Sequence, residues 1–240
     1  MRYFLILLLI PWFIDAQIVN IEDKKEAFEN GFSGSLEFEF DYNKSTQIDL
    51  EFTNTACLRW DNDFWIVLLL NEIDLNRAGE EDFANDGFQH LRISYHLNNK
   101  YILESFVQNQ HDLVHNIENR QLAGLGVQIK IPKIGFIGMS SFYEHEELVD
   151  NTINQDFRLS IYNQLSFNIL EKFKFSNVIY FQPKLEYFTD YRLALKVAIL
   201  IPFSKKLSFS NSFTLGYDSS PATDIPKTNY QIKNSLKYNF

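Results

Sequence analysis

From residue 31 to the C-terminus the chain alternates apolar and polar residues. Leu36, Phe38, Phe40 and Tyr42 share one parity, and Ser35, Glu37, Glu39 and Asp41 share the other. Successive side chains of a strand face opposite sides, so a period of two describes a ribbon with one apolar and one polar face. The pattern returns at Ile48, Leu50 and Phe52 against Asp49, Glu51 and Thr53. It returns again at Leu91, Ile93 and Tyr95 against His90, Arg92 and Ser94, and at Leu125, Val127 and Ile129 against Gly124, Gly126 and Gln128. Beyond residue 156 it continues through Leu159 and Ile161, Phe173 and Phe175, Leu193 to Ile199, Phe209 and Phe213, and Tyr230 to Phe240.

This spacing predicts about twelve strands, at 31–42, 46–59, 63–74, 87–97, 101–111, 119–131, 134–146, 156–169, 172–182, 188–201, 206–217 and 229–240. Strands of about 10–14 residues exceed the usual soluble length of about 5–6 and suit a tilted crossing of a hydrocarbon layer. Tight turns at 60–62, 98–100, 132–133, 170–171 and 202–205 alternate with longer connections at 75–86, 112–118, 147–155, 183–187 and 218–228. Barrels that span the outer membrane alternate in this way, although the first long-side connection, 43–45, is short. Pro132, Pro202, Pro183, Pro221 and Pro226 avoid strand interiors, where proline removes a ladder hydrogen bond. Trp60, Trp65, Tyr101, Tyr187, Tyr217, Tyr230 and Tyr238 stand near strand ends, where half-wet rings suit a lipid–water interface.

The expected fold is therefore all-β, a transmembrane antiparallel up-and-down β-barrel of residues 31–240. The N-terminal end resembles a secretory signal: Arg2, an almost continuously apolar Tyr3–Ile14, and Ala16 before a cleavage point. That makes 1–16 a signal peptide and 17–30 a short periplasmic leader. No later stretch holds 18 uninterrupted apolar residues; the strongest run is Phe64–Leu70. Cys57 is the sole cysteine, so no internal disulfide forms. The competing fold is a soluble exported β-barrel or sandwich, whose apolar face would point inward.

Two stretches carry a family resemblance. Tyr230-Gln-Ile-Lys-Asn-Ser-Leu-Lys-Tyr238-Asn-Phe240 resembles the C-terminal insertion signal of bacterial outer-membrane proteins, with Tyr230, Ile232, Leu236, Tyr238 and Phe240 as its apolar positions. The stretch Arg92 to Ile131 resembles the domain-of-unknown-function-481 family, also described as salt-induced outer-membrane proteins. Tyr101…Glu104-Ser-Phe106-Val-Gln108, Asp112, Arg120-Gln-Leu-Ala-Gly124-Leu-Gly126 and the later Tyr143-Glu144-His-Glu146 carry that likeness. The resemblance implies a barrel in the bacterial outer membrane, with membrane lipid and the barrel-assembly machinery as partners. It supplies no catalytic residues. The phenylalanine-rich barrel and its leader also resemble Bacteroidetes outer-membrane proteins.

If the apolar face meets lipid, the polar face lines the lumen. The candidate lining is Glu37, Glu39, Asp49, Glu51, Glu104, Glu144 and Glu146, with Arg92, Arg120, Lys130, Arg158, Lys174, Arg192 and Lys196; Arg59 also falls on this face. Closing the barrel sets the last strand beside the first, bringing Lys233 and Lys237 toward Glu37 and Glu39. The role stays open between a structural barrel and a narrow pore for small polar solutes, and a closed scaffold or receptor acting through loops 75–86, 147–155 and 218–228. Nucleic acid is not an expected partner, because 22 Lys and Arg face 31 Asp and Glu, a net charge of -9. No enzyme and no cofactor are expected. No Ser or Cys has a nucleophile-elbow context, and Ser105 and His111 lie about 20 Å apart along one strand. His111 and His115, four apart, suit a metal only on a helix, and none is expected there. The acidic 218–224 loop is a weak cation candidate, and Glu22–Asn30 a candidate helix or plug.

Overall fold

The computed structural model describes residues 31–44, 48–78, 84–169, 173–222 and 225–240. The signal peptide, the leader and Glu22–Asn30 lie outside the described residues. The twelve strands are β1 (Gly31–Lys44), β2 (Ile48–Asp61), β3 (Trp65–Ala78), β4 (Ala84–His96), β5 (Tyr101–Asp112), β6 (Ile117–Ile131), β7 (Gly135–Leu148), β8 (Ile153–Ile169), β9 (Phe173–Pro183), β10 (Tyr191–Pro202), β11 (Leu207–Asp218) and β12 (Thr228–Asn239). Each pairs antiparallel with its neighbours in chain order, and β12 pairs with β1 to close the barrel. No helix among the described residues is long and apolar enough to cross a membrane.

The wall closes through Ser35–Glu39 against Ser235–Asn239, with Glu37 opposite Lys237. Phe240 extends the seam: its N–H donates to the Gly34 carbonyl at 3.0 Å, and the Gly34 N–H donates back at 3.1 Å. The Phe240 ring covers Gly34, where a Cβ would come within 2.6 Å of it. Lys233 Nζ lies 3.6 Å from Glu39 Oε2, and the Ser235 hydroxyl donates to Glu37 Oε1. First and last strands thus meet with opposite charges on the inner face.

The apolar parity points outward. Phe38, Leu69, Ile93, Leu125, Ile137, Ile161, Ile199 and Leu236 are all exposed. This inverts a soluble barrel, and monomeric soluble proteins rarely show such continuous apolar surface. Rings pair near the two rims: Trp65 with Tyr95 at 4.7 Å between centroids, and Tyr191 with Tyr217 at 5.6 Å. One register row departs from the pattern. Asn71, Gln89, Asn109, Gln121, His145 and Gln155 stand opposite one another in turn from β3 to β8, all on the outward parity. Elsewhere on that face amides satisfy each other, as Asn163 with Asn177 at 3.1 Å and Asn211 with Asn234 at 2.9 Å.

Gly31 and Phe240 mark one rim, here the terminal end, whose turns at 62–64 and 97–100 are tied by side chains. Asn62 Oδ1 accepts from the Phe64 and Trp65 N–H groups, and Asn98 Oδ1 from Lys100 and Tyr101. Such Asx turns reverse the chain in few residues. At the opposite rim, the loop end, three expected long connections shrink, and β3 and β4 take the expected 75–86 connection in to Ala78 and Ala84. The stretches 112–118 and 147–155 become turns of 113–116 and 149–152. Strand pairing there runs on through Glu147 opposite Ile153, because ladder hydrogen bonds are indifferent to side-chain polarity. The longer connections among the described residues are 184–190 and 219–227.

Candidate functional site

The inward parity collects buried charge. At the loop end, Glu144 on β7 accepts from three arginines on three other strands. Arg120 Nε on β6 donates to Glu144 Oε1, Arg158 Nε on β8 donates to Oε2 at 2.7 Å, and Arg192 on β10 donates to Oε1 at 2.6 Å. Arg192 also reaches Glu146 at 3.1 Å and Asp218 at 2.9 Å. Arg158 continues to the Gln182 carbonyl and to Asp190, both at 3.2 Å. Arg120, Arg158 and Glu144 are at most 2 % exposed. Stripping water from such ions is costly, and several kcal/mol per ion is regained only through close, multiple pairing. Guanidinium suits that task because its fork engages several carboxylate oxygens at once.

β7 and β10 are three strands apart in the wall of twelve, so Arg192 meets Glu144 over β8 and β9 on the inner side. A second link lies below it. Tyr162 on β8 donates to Glu104 Oε1 on β5, while Arg92 Nη1 donates to Glu104 Oε2 at 2.9 Å and Gln128 Nε2 to the same oxygen at 2.7 Å. From Arg92 a hydrogen-bonded series climbs toward the loop end: His90, Gln108, Gln110, Asp112 and His115. Arg92 Nε donates to His90 Nε2 at 3.3 Å and His90 Nδ1 faces Gln108 Oε1 at 3.0 Å, a pattern that fits the neutral Nδ1–H tautomer. His115 is fully buried, with Asp112 at 2.7 Å and Asn229 of β12 at 3.4 Å.

Polar residues do not line the whole lumen. Cys57, Leu68, Leu70 and Phe88 form a buried apolar cluster on β2, β3 and β4. The Phe106 and Phe142 rings lie 6.2 Å apart, and His90 stacks on Phe106 at 5.5 Å. Gly124 makes room for them: a Cβ there would sit 2.5 Å from the Phe106 ring and 2.7 Å from Phe142 Cβ. The expectation of a polar inner face fails on β3, whose residues 65–70 are apolar on both parities. One face packs against Phe88 and Cys57 and the other points outward.

The family's sequence model, described as "Protein of unknown function, DUF481", matches residues 41–240. The chain belongs to this family. Among solved structures, the DUF481 barrel is similar to the COG4313 outer membrane channel from Pseudomonas putida F1. The TM-score is 0.57 at 11 % identity, covering 93 % of this chain and 100 % of that one. It is also similar to the NanC porin, with a TM-score of 0.51 at 10 % identity, covering 87 % and 98 %. The translocator domain of the autotransporter NalP from Neisseria meningitidis matches at TM-score 0.51 and 9 % identity, covering 91 % of each chain. These identities bear on the fold alone. The comparison with curated proteins found no match.

In the DUF481 barrel, Arg92 and Glu104 belong to one network, and Arg120, Glu144, Glu146, Arg158 and Arg192 to the other. Glu37 and Glu39 are buried apart from them, near β12. Lys174 and Lys196 stand on the β9–β10 sector with partial exposure, and Lys130 is exposed at the terminal rim. Asp49 and Glu51 pair in backbone register with Asn43 and Asp41; their side chains lie outside the described residues. Arg59 pairs with Asp61. Tyr230, Ile232, Leu236, Tyr238 and Phe240 are all exposed on the outer face. The sequence did not single out Tyr162, Gln128, His90 or Asn229 as lumen residues, although their inward parity marked them, and it named Asp112 only for the family likeness. Asp218 is bound to Arg192, and Asp224 lies outside the described residues. No cluster of three or more metal-ligating side chains occurs among the described residues.

Proposed function

We propose that this protein is a bacterial outer-membrane β-barrel with a narrow, polar lumen that the Glu144 cluster closes at the loop end. The observation that carries this reading is the buried ion pairs that join non-adjacent strands inside the barrel, Arg192 to Glu144 above all. The outward apolar face and the rim aromatics support the membrane setting, with the terminal end in the periplasm. Twelve strands fall between the filled eight-stranded barrels and the open channels of about 16–18 strands, so side chains of arginine length can block the passage. The exposed parity of β12, ending in Phe240, is what we assign to the assembly machinery.

Planar-bilayer recording tests the reading. Wild-type protein should give rare, small conductance steps, and Glu144→Gln should give frequent, larger ones. A correctly folded wild type and variant, both electrically silent, would sink the pore reading. That result would favour the second reading, a closed structural barrel, which the same buried ion pairs also support. A loop-borne receptor finds less support, since 147–155 narrows to a turn of 149–152 and β3 and β4 run into 75–86 as far as Ala78 and Ala84. The reading includes no catalysis: Ser105 and His111 lie on the outward parity of β5, and His111 Nδ1 is engaged by the Glu118 carbonyl.

A further inference from the structure

We propose that the terminal half of the lumen holds a binding site for a small polyanionic solute, one carrying carboxylate or phosphate groups. A cavity of about 40 Å³ opens there between β8–β12 and β1. That is room for a few water molecules, which a small oxyanion can replace. Its walls bring Lys174 from β9, Lys196 from β10 and Lys237 from β12 together with Glu37, the one carboxylate among its described lining residues. Gln164, Ser176 and Ser212 add neutral donors.

The hollow has a local cause. Lys196 is flanked on its own inward parity by Ala194 and Ala198, and Ser176 and Ser212 stand opposite Ala198 on the two neighbouring strands. Small side chains leave space around the ammonium groups that arginines and glutamates fill at the loop end. An ammonium is a strongly hydrated point charge, suited to exchanging water for a mobile oxyanion. Barrel walls of low dielectric focus the field of three such charges into the cavity. The lining residues face inward, so the source is a solute and not a lipid headgroup. Lys174, the second residue of β9, sets the site close to the terminal mouth. Entry therefore does not require the Glu144 cluster to open, and the proposal stands apart from conduction.

The test is calorimetric titration of the folded barrel in detergent micelles at low salt, with citrate in one arm and inorganic phosphate in the other. At least one should bind saturably, and the responding arm names the chemistry recognised. Lys174→Gln and Lys196→Gln should each weaken binding roughly tenfold, the scale of one charge-assisted hydrogen bond. Lys196→Arg should retain most of the affinity. Lys130→Gln, which removes the same charge from the rim of β6, should leave it unchanged. Heat-modifiable gel mobility certifies that each variant is folded. Absence of saturable binding by both anions, or equal loss in Lys130→Gln, overturns the proposal.

Discussion

The two ends of the lumen are built from different cations. At the loop end, arginines on β6, β8 and β10 crowd onto Glu144 and leave almost no exposure. In the terminal half, lysines on β9, β10 and β12 stand among serines and alanines around a hollow. The contrast teaches that inward parity alone does not decide whether a barrel is filled. A planar cation with several fixed donors can cross-link dry carboxylates, whereas a single ammonium leaves its surroundings wet. Side-chain size on the neighbouring strands then settles the volume.

The sharpest way to break the contrast is to remove the carboxylate at its centre. Glu144→Gln keeps the shape and leaves three guanidinium groups short of a counter-charge. Breaking a buried pair from one side costs about 3–5 kcal/mol. Urea unfolding of the folded barrel in lipid vesicles should show a loss of that size. Lys196→Gln in the hollow should shift the same midpoint by far less; equal losses would show that the two ends are not energetically distinct.

A second substitution probes the packing that separates them. Gly124→Ala drives a Cβ into Phe106 and Phe142. Overpacking of this kind costs about 1–3 kcal/mol. Combined with Phe106→Leu it should recover part of that loss, and a double-mutant cycle reads the coupling. Purely additive losses would mean that the ring and the glycine do not meet.

The smallest expected effect lies at the loop end, outside the barrel strands. Burial alone would lower the Lys184 pKa, but hydrogen bonds to Asp156 and Asp190 outweigh it and hold the ammonium above its ordinary value. Its Nζ lies 3.0 Å from a carboxylate oxygen of each. A raised folded-state pKa means the contribution is fully present below the unfolded value, near 10.4, and is lost as pH rises through the folded one. A partly exposed pair of this type is worth under about 1 kcal/mol. Lys184→Met should flatten the alkaline limb of the stability–pH curve by that amount and leave the neutral region nearly unshifted. An unchanged alkaline limb would remove Lys184 from the account.

The wall was legible because its signal is local. A period of two names the strands and their outward face wherever the two parities differ, as along β1, β6 and β12. Over residues 65–70 of β3 both parities are apolar, so the pattern could not reveal that Leu68 and Leu70 fill part of the lumen. The stretches 112–118 and 147–155 read as loops, yet the strands extend into both and leave turns of 113–116 and 149–152, since strand ends lifted above an apolar belt have no need of alternation. Arg120, Glu144, Arg158 and Arg192 were each marked as inward. Their convergence was not, because it depends on strand tilt and on the span over intervening strands, which no local period contains. His115 was assigned to a loop; it lies in a short 3₁₀ turn, Leu113–His115, closed by the Asp112 carboxylate.

The arginine cluster also bears on the order of assembly. Its hydrogen bonds come from β6 to β11 and the connection at Asp190, and β1 and β12 contribute none of those bonds. Those strands form one continuous antiparallel meander, each following the last in the chain. The cross-links can therefore form while the wall is still an open, curling sheet. Joining Gly34 to Phe240 needs residues from opposite ends of the chain, the contact with the largest loop to close. A sheet already curved by its own ion pairs would bring those two edges toward each other, so the element we propose to close the finished passage would also serve as the template on which the cylinder rounds.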